Sequence, residues 1–465
     1  MGPLSKAKRE ISRTRIDQAD MTGAEPQPMR FSASGPLRGS APIPGDKSIS
    51  HRALMLAALA AGRSRIEGLS EGTDVVSTAA ALRAMGARIE LAPESGGGAW
   101  HVDGVGTGGL LQPQTALDMG NSGTSARLLM GLIASHSVSA VLAGDASLSR
   151  RPMDRVIAPL RRIGAEITAS PGDRLPLAVR GICPALPLTH RLTVASAQVK
   201  SALLLAALNI PGMTTVVEAV PTRDHGERLL QLFGAELQIS PQGSGREISL
   251  RGEAELRPQD MCIAGDPSAA AFLAVAALIV PGSDIRIAGV GVNPMRMGLY
   301  ETLLEMGADL QFSNQRTVSG EPVADLAVRH SPLQGVSVAR ERAPAMIDEY
   351  PIFFIAAAFA DGESRALGLS ELRVKESDRI TAMARGLRDI GGTVEESDDG
   401  LVIRGSGGRP LAGGALIRSQ LDHRIAMSFA VAGLACHEPV TVDDMTPVQT
   451  SFPGFTAALK GLGAL

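Results

Sequence analysis

Aromatic side chains are scarce, only 3% of 465 residues, with one Trp and two Tyr. A core without large rings must be filled by Ala, Leu, Ile, Val and Met, and the 52 Gly let helices and strands approach closely. Cysteine is scarcer still. Cys183, Cys262 and Cys436 are odd in number, far apart and without metal-ligand spacing, which argues against a disulfide framework and fits a reducing cytoplasm. Long apolar runs are missing: the longest, Ala269 to Val280, is too short to span a bilayer. No charge of one sign dominates. A net charge of −3 argues against a general nucleic-acid or membrane-surface protein, so any anion site must be a local focus of cations.

Residues 1–38 differ from the rest. Lys6, Lys8, Arg9, Arg13 and Arg15 alternate with Ser, Thr and acids, and no apolar segment of a secretory signal follows. This stretch reads as a disordered tail. The remainder is long enough for two to three domains.

What the chain does have is an internal repeat. A helical pattern ending in apolar-Gly-small and then a strand-like run occurs six times, at Gly86, Gly164, Gly234, Gly307, Gly391 and Gly463. The period is about 75 residues, too long for a solenoid unit and suited to two domains of three units each. Gly at that place predicts a helix C-cap in the left-handed conformation. A second pattern runs in phase with the first. Each period holds a small-residue helix that is apolar all round, and therefore buried, after a polar start. These are GDKSISHRALMLAALA, GNSGTSARLLMGLIA, SAQVKSALLLAALN, GDPSAAAFLAVAALI, MIDEYPIFFIAAAFA and LDHRIAMSFAVAGLA.

The polar starts carry the chemistry. Lys47, Arg52, Arg127, Arg151, Arg223, Lys375, Arg379 and Arg424 all lie at or near helix starts, in five of the six units. Helix N-termini already favour anions. If the units are arranged alike, these cations converge on a small polyanion, or on two phosphorylated or carboxylated molecules. Taken singly, each could be a solvated basic face or an internal ion pair. Asp348 and Glu376 do not fit anion binding, since they repel it, and suggest proton transfer. The fourth unit, GDPSAAAFL, reads as structure only.

In order along the chain, PGDKSISHRAL, GNSGTSARLL, RRPMDRV, SAQVKSALLLA, MIDEYPI, RVKESDRI and LDHRIAMSF resemble the 3-phosphoshikimate 1-carboxyvinyltransferase (EPSP synthase) family. SAQVKSA, TRDH, IDEYPI and LDHRIAM are similar to its class II bacterial type. The resemblance covers residues 39–465 and implies an α/β fold of two domains. Each is three βαβαββ copies, together an inside-out α/β barrel that closes on its ligands. It also implies two crossings between domains, near Gly45–Lys47 and near Ala264–Asp266. One domain is then 47–263 and the other 39–46 with 264–465.

The reaction implied is transfer of the enolpyruvyl group of phosphoenolpyruvate to the 5-hydroxyl of shikimate 3-phosphate. Phosphate is released and no cofactor or metal takes part. The expected partners are these two small molecules, with neither nucleic acid nor membrane, and the expected form is a cytoplasmic monomer. By resemblance, Lys47, Ser48, Arg52, Ser196, Ala197, Gln198 and Arg223 hold shikimate 3-phosphate, with Asp348 and Lys375 beside its hydroxyl. Lys47, Gly123, Arg151, Gln198, Arg379 and Arg424 hold phosphoenolpyruvate. Asp348 or Lys375 is the base for the hydroxyl, and Glu376 gives and later removes the methylene proton.

Two positions qualify the match. Many members carry Lys before the final (S/T)FP, where QTSFP places Thr450. Gly123 leaves room for the inhibitor glyphosate, which an alanine methyl would crowd. Two rivals are weighed against this reading. The UDP-N-acetylglucosamine enolpyruvyl transferase shares the fold but typically has a Cys just before an Arg-Pro pair, and GDASLSRRPMD has none. A non-catalytic phosphometabolite-binding protein would leave Asp348 and Glu376 without a purpose.

Overall fold

The structure, a computed structural model, describes residues 25–92 and 98–464. Its fold is α/β, built from six related units. In the second unit, Leu117–Asp118 runs parallel to Ser139–Ala143. That strand is antiparallel to Arg174–Arg180, which pairs antiparallel with Glu166–Ser170. Helices Gly123–Ala134 and Asp154–Arg162 make the connections, giving βαβαββ. The third and fifth units repeat this order. All six glycines of the repeat have positive φ, between 86° and 107°, and close their helices as expected.

The other three units borrow strands. Asp260–Cys262 joins Arg63–Glu67 of the first unit in parallel, and Arg38–Ser40 joins Asp284–Gly291 of the fourth in the same way. Leu416–Ile417 lies parallel to Val440–Val442 in the sixth unit, which Met29–Phe31 completes antiparallel. These exchanges require the chain to pass twice between its halves. At the passage Gly45 and Gly265 face each other in an antiparallel bridge. A Cβ at Gly45 would overlap the Gly68 carbonyl oxygen, so only glycine fits there.

Buried apolar side chains form two clusters, one from residues 31–41 and 269–464, the other from residues 49–264 with Val323. In the second, helices Lys47–Leu59, Gly123–Ala134 and Ala197–Ala207 lie innermost. Ala53 to Leu59 are wholly buried, as an all-apolar helix must be. In the other half Pro267–Ile279, Tyr350–Phe359 and His423–Gly433 pack on one another in the same manner. The sheets lie outside, and Arg174–Arg180 alternates buried and exposed along its length. Helices inside and sheets outside is the inside-out arrangement.

The expected tail is too long. Residues 25–38 belong to the fold: Met29–Phe31 is a strand, Phe31 is fully buried, and the Gln27 carbonyl accepts from the Met445 amide at 2.9 Å. The second half therefore begins before residue 39. Residues 1–24 lie outside the described residues. A three-residue strand whose partner is some 400 positions away leaves no periodic signal in the sequence.

Candidate active site

Capping side chains place the expected ligand-binding residues. Asp46 accepts from the Ile49 amide (2.9 Å), Ser122 from Ser125 (3.0 Å), Ser196 from Val199 (3.3 Å), Asp378 from Thr381 (3.1 Å) and Asp422 from Arg424 (2.9 Å). Each cap fixes the first turn of its helix. Lys47, Gly123, Ala197 and Arg379 are therefore first helical residues, and Ser48, Gln198 and Arg424 follow one position later.

Two carboxylates stand among the cations. Asp348 has Arg223 Nη2 at 2.7 Å, Arg379 Nη1 at 3.6 Å and Lys375 Nζ at 3.8 Å, and its carbonyl accepts from Arg424 at 2.7 Å. Burial pushes the Asp348 carboxyl up, but Arg223, Lys375, Arg424 and Arg379 together hold it well below the usual range. Glu376 pairs with Arg379 at 2.6 Å and Arg151 at 3.3 Å. It too is pushed up by burial and pulled well below its ordinary value, chiefly by Arg379 and Arg151. Burial lowers the Lys375 ammonium, and Asp348 only partly restores it. Arg379 is nearly inaccessible and clamped by Asp422 at 2.8 Å, which with Glu376 outweighs its burial and raises its pKa.

The remaining expected residues lie around these. Lys47 Nζ pairs with Asp74 at 2.5 Å. Arg52 donates to Ser201 Oγ (3.1 and 2.8 Å) and to the Ser48 carbonyl (2.8 Å), and burial brings its pKa down to about 10. Gln198 donates to Thr124 Oγ1 at 3.0 Å and accepts from Arg127 at 3.2 Å. Arg151 donates to Asn121 at 2.6 Å. A methyl at Gly123 would stand 2.6 Å from Arg127 Nη1 and 3.2 Å from Arg151 Nη1, so both guanidinium groups flank that glycine.

Contacts between described residues join the halves across the site. Besides Arg223–Asp348 and Arg151–Glu376, Ser147 Oγ donates to the Glu376 carbonyl at 3.0 Å, and Arg155 meets Glu371 through two bonds of 3.0 Å. These contacts bring the two halves against each other at the site. Thr450 puts no cation into the site. Its hydroxyl donates to the Pro447 carbonyl (2.7 Å) and lies 3.4 Å from His423 Nδ1. Burial, with Lys47 and Arg424 nearby, keeps His423 well below its ordinary pKa and hence neutral.

Reading the sequence missed several partners. Asp422 precedes His423 as a cap and could have been found by that signal. Asp74 sits within TDVVSTAA, where nothing marks it. Arg296, in the unit read as structure only, lies buried beside Asp46 and Asp266.

Comparison with known proteins identifies the family. The sequence model of the family described as EPSP synthase (3-phosphoshikimate 1-carboxyvinyltransferase) matches residues 31–459. The 3-phosphoshikimate 1-carboxyvinyltransferase of Sphingopyxis alaskensis is 61% identical over 95% of this chain and 100% of its own. That of Novosphingobium aromaticivorans is 59% identical over 93% and 99%. The solved EPSP synthase of Acinetobacter baumannii superposes with a TM-score of 0.82 at 42% identity, covering 94% of this chain and 98% of its own. The enolpyruvyl transferase NikO from Streptomyces tendae, at 18% identity and TM-score 0.76 over 94% and 98%, shares the fold. The match of motifs, repeat architecture and relatives across nearly the whole length means that this chain belongs to the EPSP synthase family.

Proposed function

We propose that this site transfers the enolpyruvyl group of phosphoenolpyruvate to the 5-hydroxyl of shikimate 3-phosphate, with the roles divided between its two halves. The observation that carries the reading is the setting of Asp348 and Glu376 in ion-pair contact with cations from both halves. A site that only bound anions would gain from removing both carboxylates.

Shikimate 3-phosphate is held by Lys47, Ser48, Arg52, Ser196, Ala197, Gln198 and Arg223. Phosphoenolpyruvate is held by Lys47, Gly123, Arg151, Gln198, Arg379 and Arg424. Arg127, which shares Gln198 and flanks Gly123, adds positive charge beside these two residues. Each close pair of opposite charges at an effective dielectric of 20 is worth up to about 4 kcal/mol before desolvation.

The ligands retune the acids. With no ligand charge present, Arg151 and Arg379 keep Glu376 ionised. Once the phosphate and carboxylate of phosphoenolpyruvate engage those guanidinium groups, their pull on Glu376 weakens and its pKa rises. It then protonates the methylene carbon while the 5-hydroxyl oxygen bonds to C2. The hydroxyl proton passes to Asp348 or to Lys375, 3.8 Å apart. The depressed pKa of Lys375 suits the second choice, and the release of Asp348 as Arg223 turns to the ligand phosphate suits the first. From the tetrahedral adduct, Glu376 takes a methyl proton back as phosphate leaves.

One chain supplies every one of these residues, so a monomer suffices. Among the described residues all three cysteines are free, and no helix is long and apolar enough to cross a membrane. The pH profiles of Asp348→Asn and Lys375→Met test the assignment. The base's variant loses the acidic limb of the kcat profile together with most of its rate. Parent-like profiles in both variants would remove both residues from that role.

A further inference from the structure

The two passages of the chain between its halves run side by side. The Asp46 amide donates to the Ala264 carbonyl at 2.7 Å, and the Asp266 amide to the Pro44 carbonyl at 2.9 Å. Each passage ends in an aspartate that caps a largely buried helix. Asp46 caps Lys47–Leu59 of one half, and Asp266, accepting from the Ser268 amide at 2.8 Å, caps Pro267–Ile279 of the other. Asp266 also accepts from the Lys47 amide at 3.3 Å.

One guanidinium ties both caps. Arg296, only 3% exposed, donates through Nη1 to Asp46 Oδ2 at 2.9 Å. Through Nη2 it reaches Asp266 Oδ1 at 3.4 Å and Ser268 Oγ at 2.7 Å. Ser268 passes the contact on by donating to Glu349, whose Oε1 is also 3.7 Å from Arg296. Glu349 is the chain neighbour of Asp348 and lies 3.8 Å from Arg424. Three buried carboxylates therefore share Arg296. Neither helix needs it for capping, since each aspartate already accepts from its own first turn.

We propose that Arg296 is a positioning residue that sets the angle between the two halves, holding Lys47 from one and Asp348 from the other in register for the reaction. The planar fork of the guanidinium suits this task. Its two terminal nitrogens have a fixed separation and meet the two caps separately, which the single ammonium of lysine does not reproduce. The proposal rests on the roles given above to Lys47 and Asp348.

Two variants test it. Arg296→Lys retains the charge and loses the fork. Arg296→Met with Asp46→Asn removes both charges of the closest pair and leaves an amide able to cap. Three readouts are taken on the full chain: kcat by phosphate release, affinity for shikimate 3-phosphate alone by calorimetry, and compaction on adding both substrates by small-angle scattering. In each variant kcat is expected to fall by more than about 30-fold and compaction to shrink. The affinity for shikimate 3-phosphate alone should stay within about threefold, because most of its contacts lie in one half. Parent-like kcat in Arg296→Lys would overturn the proposal. So would a loss of affinity in proportion to kcat, or failure of Arg296→Lys to fold, since either marks a general structural role. Parent-like activity in both Asp348→Asn and Lys375→Met would instead defeat the site assignment and is measured separately.

Discussion

Replacing Glu376 by Gln preserves the shape of the side chain and removes its charge and its titratable proton. In the parent, the carboxylate accepts from Arg379 at 2.6 Å and Arg151 at 3.3 Å, on the side where phosphoenolpyruvate would bring its own negative charge. Two consequences have opposite signs. Loss of the proton donor and acceptor removes a general acid–base contribution of about 10²–10⁴ in rate. At 1.36 kcal/mol per decade this is about 3–5 kcal/mol of transition-state stabilisation. Loss of the carboxylate also removes a repulsion toward phosphoenolpyruvate, so its binding should hold or tighten. Arg379 keeps Asp422 at 2.8 Å and remains in place. Steady-state phosphate release should therefore show kcat reduced by that factor with an unchanged or lower KM for phosphoenolpyruvate. A kcat within about tenfold of the parent, or a defect confined to KM, would refute the role given to Glu376.

Gly123→Ala should fold normally, because the new methyl meets the mobile ends of Arg127 and Arg151 rather than backbone. Glyphosate inhibition should weaken by more than about tenfold, ~1.4 kcal/mol, relative to the parent; equal inhibition constants would rule the crowding argument out. Lys47→Ala should leave buried Asp74 unpaired and weaken both ligands along with ligand-driven compaction, and scattering curves matching the parent would contradict this. Stability should also depend on acid. The folded-state pKa values of Asp348 and Glu376 lie below their unfolded values. Their contribution is therefore present above about pH 4.5 and is lost as pH falls through the lower folded values. The double variant Asp348→Asn, Glu376→Gln should show a flatter loss of melting temperature below pH 4.5, and an identical slope would disprove the linkage.

The repeat was legible because two independent patterns, the capping glycines and the all-apolar helices, recur in step. Strand exchange was not, since Met29–Phe31 finds its partner at Val440–Val442 and no local signal encodes a distant pairing. In the site, charged residues at helix starts announced themselves by type and place. Their partners did not: Asp74 lies in the first turn of an ordinary helix, and Arg296 sits in a short turn of the unit read as structure only. What makes Arg296 noticeable is that it touches two segments more than 200 residues apart in sequence.

The central claim is that the converged cations and the two acids serve transfer to shikimate 3-phosphate. Phosphate release from phosphoenolpyruvate by the purified chain tests it most directly, measured alone, with shikimate 3-phosphate, and with UDP-N-acetylglucosamine. The account predicts sustained release only with shikimate 3-phosphate; release with UDP-N-acetylglucosamine and none with shikimate 3-phosphate would contradict it.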